Sequence, residues 1–436
     1  MEKRFGFIGL ESGVTARHMW VLLYASFVSI GLATFDAFGM PYVLSENVGV
    51  PIEDQGAVVG RLNVYTEILL LMAFTPFGVL SDRIGRRAVY AFGFVCLGIG
   101  YALFPYATSI SELALIRIFY SLGIAGVTGM LATVIADYTI ADHRGRMVGL
   151  TGVMNGLGIV TSALLLAKLP NVFVGMGYST YQGGQFTLFI VAGLCALSAL
   201  IVGRGLKPGL PTVQSERRPA RELFRTAVAA ATENPRIAVA YASAFVARGD
   251  LVVVGTFLVL WGKVVAVESG MDTAAAIEAG RIPFVVAQGA ALLGAIGTIF
   301  LIDRMNRMTA LACCMGLAAF AYINLMFVDN PLDSANIPFF IILGLGQIAA
   351  FMGSTTLIGK EAPTAERGAV IGAFSVAGAL GILVTSGVGG TLFDAIDPRA
   401  PFVLLGVMNL VVLASAVYVR LNEKNPKALQ AAAPVR

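Results

Sequence analysis

The chain has 436 residues, 57% hydrophobic and only 13% charged, where an ordinary soluble domain carries about 25% charged residues. Its net charge is +4, with 50 Gly and just two His. This composition excludes a soluble globular enzyme, a disordered chain and a nucleic-acid binder, because one aqueous core cannot bury so much apolar surface and lipid must solvate the rest.

Twelve apolar stretches follow in chain order, at 18–44, 56–80, 88–108, 111–138, 147–168, 186–204, 236–264, 283–302, 308–328, 338–359, 368–390 and 400–420. Each comes close to the roughly 20 residues a spanning helix needs. They lack the period-two alternation of barrel strands. The first runs on through Asp36 and Pro41 without a small-x-small cleavage site, so it reads as a retained helix and not a signal peptide. Cys96, Cys195, Cys313 and Cys314 lie in apolar runs with no CxxC pair, and read as small packed side chains.

Ionisable residues inside these stretches cost about 2.5–3.5 kcal/mol each on insertion scales, so each needs a partner or a function. The deep ones are Asp36, Arg117, Arg248 and Asp250, with Glu67 in the second stretch. These five are the candidate ion-coupling and substrate-cavity residues. Asp36 and Arg117 are predicted to pair, and a purely static ion pair is the alternative. Arg248 and Asp250, two apart on a helix, point about 200° apart, so one faces a cavity and the other a neighbouring helix.

Between the second and third stretches lies Gly78-Val-Leu80-Ser-Asp82-Arg83-Ile-Gly85-Arg86-Arg87. Gly85 permits a tight turn. Asp82 stands at a helix end, where a carboxylate can meet a neighbouring helix N-terminus. Arg86 and Arg87 suit carboxylates or lipid phosphates. The segment 205–235 is the longest polar interval. In it Leu223, Phe224, Ala227, Val228 and Ala231 share one helical face flanked by Arg221 and Arg225, which predicts a short amphipathic helix on a membrane surface.

The chain repeats itself across that interval. Residues 143–149 resemble 366–372, LeuGlyIleValThrSer at 157–162 resembles LeuGlyIleLeuValThrSer at 380–386, Asp82–Arg86 matches Asp303–Arg307, and Asp36 aligns with Asp250. A parallel repeat of six spans predicts an all-α membrane protein of 12 transmembrane helices, in two pseudo-symmetric six-helix bundles around a central cavity. The expected division is 1–204 for the N-terminal bundle, 205–235 for a cytoplasmic linker with its amphipathic helix, and 236–436 for the C-terminal bundle. With both termini inside, 23 of the 30 Lys and Arg fall on the inner side. That asymmetry predicts cytoplasmic termini in a multi-pass cell-membrane protein.

Residues 78–87 meet every fixed position of G-x-L-x-D-R-x-G-R-R. In this the chain resembles the major facilitator superfamily of secondary transporters, and the resemblance extends over all twelve spans. It implies that Gly78, Asp82, Arg83, Gly85 and Arg86 latch the two halves in the outward-open state, with a charge relay from Arg86 to Asp137. It also implies a weaker second latch at Asp303 and Arg304, where Asn306 replaces the glycine. Arg117, followed by Gly123 and Gly126, resembles the fourth-helix motif associated with proton coupling. Gly152-Val-Met-Asn155-Gly156-Leu-Gly158 meets the family's exporter motif only in part and lacks its proline, which tells against export.

No G-x-x-x-x-G-K-[ST] phosphate loop occurs, and His18 and His143 are too few for a metal cluster, so no cofactor or metal is expected. The expected function is secondary active transport of a small organic solute by alternating access, coupled to protons by symport. Two deep arginines favour an anionic or zwitterionic solute. A proton-coupled efflux antiporter for drugs or metabolites is the alternative. A membrane-embedded enzyme or a transporter-like sensor is the remote one. The expected partners are the solute, the coupling proton and the lipid bilayer, with the chain acting as a monomer and binding no nucleic acid.

Overall fold

The structure, a computed structural model, describes residues 4–6, 8–210, 220–363 and 366–423. Residues 211–219 of the expected linker, the basic residues at 424, 427 and 436, and the side chain of Asp303 lie outside the described set.

Twelve helices among the described residues are long and apolar enough to span a membrane: Ala16–Val48, Ile52–Ile84, Arg86–Tyr106, Ile110–Tyr138, Arg144–Gly175, Thr180–Gly205, Pro235–Glu268, Thr273–Ile302, Arg307–Phe327, Ser334–Glu361, Arg367–Ala395 and Ala400–Asn422. They are numbered here as the first to twelfth spans. Each apolar stretch of the sequence falls in one of them. The helices outrun the apolar runs because polar residues extend their ends, most of all in the eighth span, which begins at Thr273 and not at 283. A two-stranded hairpin, Arg4–Phe5 with Ile8–Gly9, precedes the first span. A further helix, Ala220–Glu233, precedes the seventh. It buries Ala227 and Ala230 and leaves Leu223, Phe224 and Val228 exposed.

The fold divides by packing into two compact units: residues 1–215 with 258–288, and residues 216–257 with 289–436. In the first, the third span packs against the fourth and sixth; in the second, the ninth packs against the tenth and twelfth. These pairs are offset by six, as the repeat requires.

The repeated LeuGlyIle segments show why the repeat is physical. In the first unit a Cβ on Gly158 of the fifth span would lie 1.9 Å from the Phe27 carbonyl oxygen of the first. In the second unit a Cβ on Gly381 of the eleventh span would lie 1.8 Å from the Phe245 carbonyl oxygen of the seventh. Both crossings bring backbone against backbone, which only glycine allows.

Candidate functional site

The first span keeps helical dihedrals at Phe35, but its hydrogen-bond ladder is interrupted there. It runs Ala16–Thr34, breaks at Phe35 and resumes as Asp36–Val43. A break exposes carbonyls that lipid cannot satisfy. Tyr101 Oη donates to the Leu32 carbonyl at 2.5 Å and Tyr120 Oη to the Ala33 carbonyl at 2.9 Å. Asp36 is therefore the first residue beyond an interruption capped by two tyrosines of the third and fourth spans.

Arg117 Nη1 donates to Asp36 Oδ1 at 2.9 Å. Its Nη2 donates to Asn63 Oδ1 at 2.8 Å and its Nε to Thr66 Oγ1 at 3.0 Å. The guanidinium carbon lies 5.0 Å from the Tyr120 ring centroid. The Arg117 side chain is 1% exposed and that of Asp36 13%. A buried ion pair survives desolvation only when its remaining donors are also satisfied, and Asn63 and Thr66 supply those acceptors. The sequence singled out the pair but not these two neighbours, because an Asn and a Thr within an apolar helix carry no charge signal. Glu67 is buried in the second span, within a turn of Asn63 and Thr66.

In the second unit Asp250 is fully buried. Asn409 Nδ2 of the twelfth span donates to both its carboxylate oxygens at 3.3–3.4 Å. Gln347 and Tyr322 donate to its main-chain carbonyl at 3.3 and 3.4 Å. Arg248 points elsewhere: its guanidinium lies 6.0 Å from the Phe351 ring centroid, and its Cγ would meet a Cβ on Gly378. The two residues thus diverge as helical spacing requires. The buried member facing neighbouring helices is the acid. The repeat aligns Asp36 with Asp250, yet one meets a guanidinium and the other an amide.

The signature loop forms a compact charge cluster. Gly85 takes φ +93°, and a Cβ there would sit 2.9 Å from the Gly209 carbonyl oxygen. Arg86 bonds Asp82 Oδ1 at 2.7 Å and Asp137 Oδ2 at 3.0 Å, and donates to Ser81 Oγ. Ser81 Oγ in turn donates to the Gly78 carbonyl at 2.8 Å. Arg83 and Arg304 are exposed. The counterpart in the second unit is Arg307, which bonds Glu361 Oε1 at 2.9 Å while Arg236 bonds the same oxygen at 3.1 Å. The sequence reading missed Glu361, since it lies at the end of the tenth span where a lone acid looks like a solvated helix terminus. The signal that could have found it is the repeat, which brings Asp137 of the first half within one residue of Glu361.

Lys263 and Arg281 were also missed as site residues. In the division of Lys and Arg between the two sides both are expected on the outer side. Lys263 lies within the seventh span, at the end of its apolar stretch, and Arg281 lies within the eighth, because that helix begins well before its apolar stretch. Lys263 is 0% exposed. Its Nζ donates to the Pro41 carbonyl at 2.5 Å, Ser45 Oγ at 2.6 Å and Gln55 Oε1 at 2.7 Å. Three acceptors match the three donors of an ammonium group.

No group of three or more His, Cys, Asp or Glu among the described residues is arranged to hold a metal ion. In transporters, intramembrane ionisable residues and interrupted spans mark solute and ion pathways. The chain belongs to the Major Facilitator Superfamily, whose family model matches residues 22–386 and 301–435. It is a multi-pass membrane transporter and not an enzyme. Among its relatives is the magnetosome protein MamH of Paramagnetospirillum magneticum, 30% identical over 396 residues, which are 86% of each chain. Another is the magnetosome protein MamZ of the same organism, 26% identical over 427 residues; the match takes in 92% of this chain and 63% of MamZ. The nucleoside transporter NupG shares the fold at a TM-score of 0.68 and 15% identity, with 93% of this chain and 99% of that one covered.

Proposed function

We propose that this protein is a proton-coupled secondary transporter that moves a small anionic or zwitterionic organic solute by alternating access, as a symporter. The observation that carries the reading is the Asp36–Arg117 pair at 2.9 Å, set at the break of the first span. Protonation of Asp36 would free Arg117 for a solute carboxylate or phosphate, and solute bound to Arg117 would free Asp36 for a proton. That exchange is a physical route to coupling. The halves 1–204 and 236–436 are the proposed moving parts, joined by the linker 205–235. The cluster of Gly78, Asp82, Arg83, Gly85, Arg86 and Asp137 is their proposed latch, with Asp303 and Arg304 its weaker echo. Glu67, Arg248 and Asp250 complete the proposed ion-coupling and substrate-cavity set, with Arg248 the member of the last two that faces the cavity. Both termini are assigned to the cytosol and the functional unit to a monomer.

Flux into proteoliposomes over a panel of organic anions and zwitterions, with and without a pH gradient, tests this. Gradient-stimulated uptake of one panel member supports symport. Gradient-driven expulsion would replace it with the antiport alternative.

A second reading concerns the membrane. Relatives named as magnetosome proteins align over 86% and 92% of this chain, which favours the magnetosome membrane as its destination in a cell that makes magnetosomes. Fractionation of cells carrying a tagged chain distinguishes that compartment from the cell membrane.

A further inference from the structure

Two spans of the first unit contain a single widened helical turn, and each such turn lies beside a cation from the segment 258–288. In the first span the turn is Leu44–Val48, just after Pro41. There Leu44 N–H is shared between the Met40 and Pro41 carbonyls, and the Pro41 carbonyl also takes Lys263. In the fifth span the turn is Ser162–Leu166. Ala167 N–H, which an α-helix would give to Ala163, goes instead to the Ser162 carbonyl at 3.2 Å. The Ala163 carbonyl is thereby released from the ladder. Arg281 Nη1 donates to it at 3.2 Å.

Lys263 and Arg281 act as one element. Their helices touch at Gly262 and Gly280, where a Cβ on Gly262 would lie 2.6 Å from the Gly280 Cα. Arg281 is steadied by Glu278 at 3.4 Å, which also accepts from Asn171 Nδ2. Phe284 packs edge-on to Phe38, with ring centroids 5.5 Å apart.

We propose that Lys263 and Arg281 form a two-point clamp that fastens the segment 258–288 onto carbonyls of the first and fifth spans, and that the transport cycle requires this clamp to open and re-form. Lys263 is the principal point and a positioning residue for the cycle: its ammonium fills a cage of three oxygens from the first and second spans. Arg281 is the secondary point, held on a carbonyl that exists as a free acceptor only because the fifth span widens there. The clamp lies at the opposite ends of these spans from the signature loop, so it is distinct from the latch. It goes beyond the coupling reading and does not depend on which solute or ion is moved.

The test uses Ala167, which is buried and lines a narrow cleft with Phe38, Tyr42 and Ile277. In the full-length protein with its four native cysteines replaced, Ala167→Cys reports opening of the cleft through its rate of labelling by a small maleimide. Lys263→Met is expected to raise that rate about tenfold, since it removes bonds made by a charged donor. Arg281→Met is expected to raise it less. In Lys263→Ala, added methylammonium or ethylammonium is expected to slow the labelling again by refilling the oxygen cage. Ser45→Ala, which removes one oxygen of the cage and leaves Lys263 in place, is expected to raise the labelling rate by less than Lys263→Met does. It keeps the proposal open to refutation if the Lys263 variants do not fold. Unchanged labelling in Lys263→Met with wild-type flux overturns the clamp. So does Ser45→Ala that labels and transports like wild type, and so does a Lys263→Ala defect that no small amine repairs.

Discussion

Arg307 donates to Glu361 at 2.9 Å across the ends of the ninth and tenth spans, as Arg86 meets Asp137 at 3.0 Å across the ends of the third and fourth. The two pairs stand at corresponding places in the repeat, although the loop motif before Arg307 has Asn306 in place of the glycine. In the second unit Arg236 joins the same acid, so Glu361 balances two guanidiniums. Glu361→Gln leaves those cations facing each other. Thermal unfolding of the detergent-purified variant is expected to show a loss of about 1–3 kcal/mol. Arg307→Gln is expected to cost less, because Arg236 remains.

Asp36→Asn is expected to abolish proton-driven accumulation while leaving solute exchange measurable, since a neutral amide still fills the site and bonds Arg117 but cannot titrate. Arg117→Ala is expected to be worse on both counts and to destabilise the fold by about 3–5 kcal/mol, the usual cost of stranding one member of a buried pair. Accumulation and counterflow measured in parallel separate the two effects. Accumulation by Asp36→Asn at the wild-type level would move coupling to Asp250 or Glu67.

Asp250→Asn is expected to raise the apparent KM for solute before it lowers maximal flux. Asn409→Leu removes the amide that donates to both oxygens of the Asp250 carboxylate, and is expected to lower stability by about 1–3 kcal/mol. If Asp250→Asn restores stability in the Asn409→Leu background, the two residues act as a pair. Additive losses would mean that they do not.

Asp82→Asn is expected to slow flux several-fold with normal insertion, because it removes the carboxylate that Arg86 meets at 2.7 Å. An insertion-competent variant transporting at the wild-type rate would remove the latch reading.

Gly158→Ala and Gly381→Ala are expected to damage folding alike, since each methyl group would collide with a main-chain oxygen that cannot rotate away. Yield and monodispersity of the two variants compare the halves directly. A mild Gly381→Ala beside a severe Gly158→Ala would show that the second crossing can relax.

Most of this architecture is legible in the amino-acid order because lipid imposes simple rules. Span length, the placement of Lys and Arg, and the six-span repeat are all carried by composition, and the Asp36–Arg117 pair announces itself as charge where charge is costly. What stays hidden is polarity that costs little by itself. Asn63, Thr66 and Asn409 are ordinary residues until a buried charge points at them. Lys263 reads as a terminal cation because it stands at the very end of its apolar stretch, and Arg281 as a loop residue because hydropathy alone starts the eighth span late. The widened turns at Leu44–Val48 and Ser162–Leu166 leave no mark that a residue pattern reveals.

The crossing of the first and fifth spans has a mechanical meaning. At Gly31 and Gly158 main chain rests on main chain, with no side chains between to act as a bearing, so at that height the two helices behave as a welded joint. One turn further along, the first span is interrupted at Phe35. A rod welded below an interruption pivots at the interruption. Asp36 is the first residue beyond it, so a swing of the rest of the first span would be levered through the carboxylate that bonds Arg117.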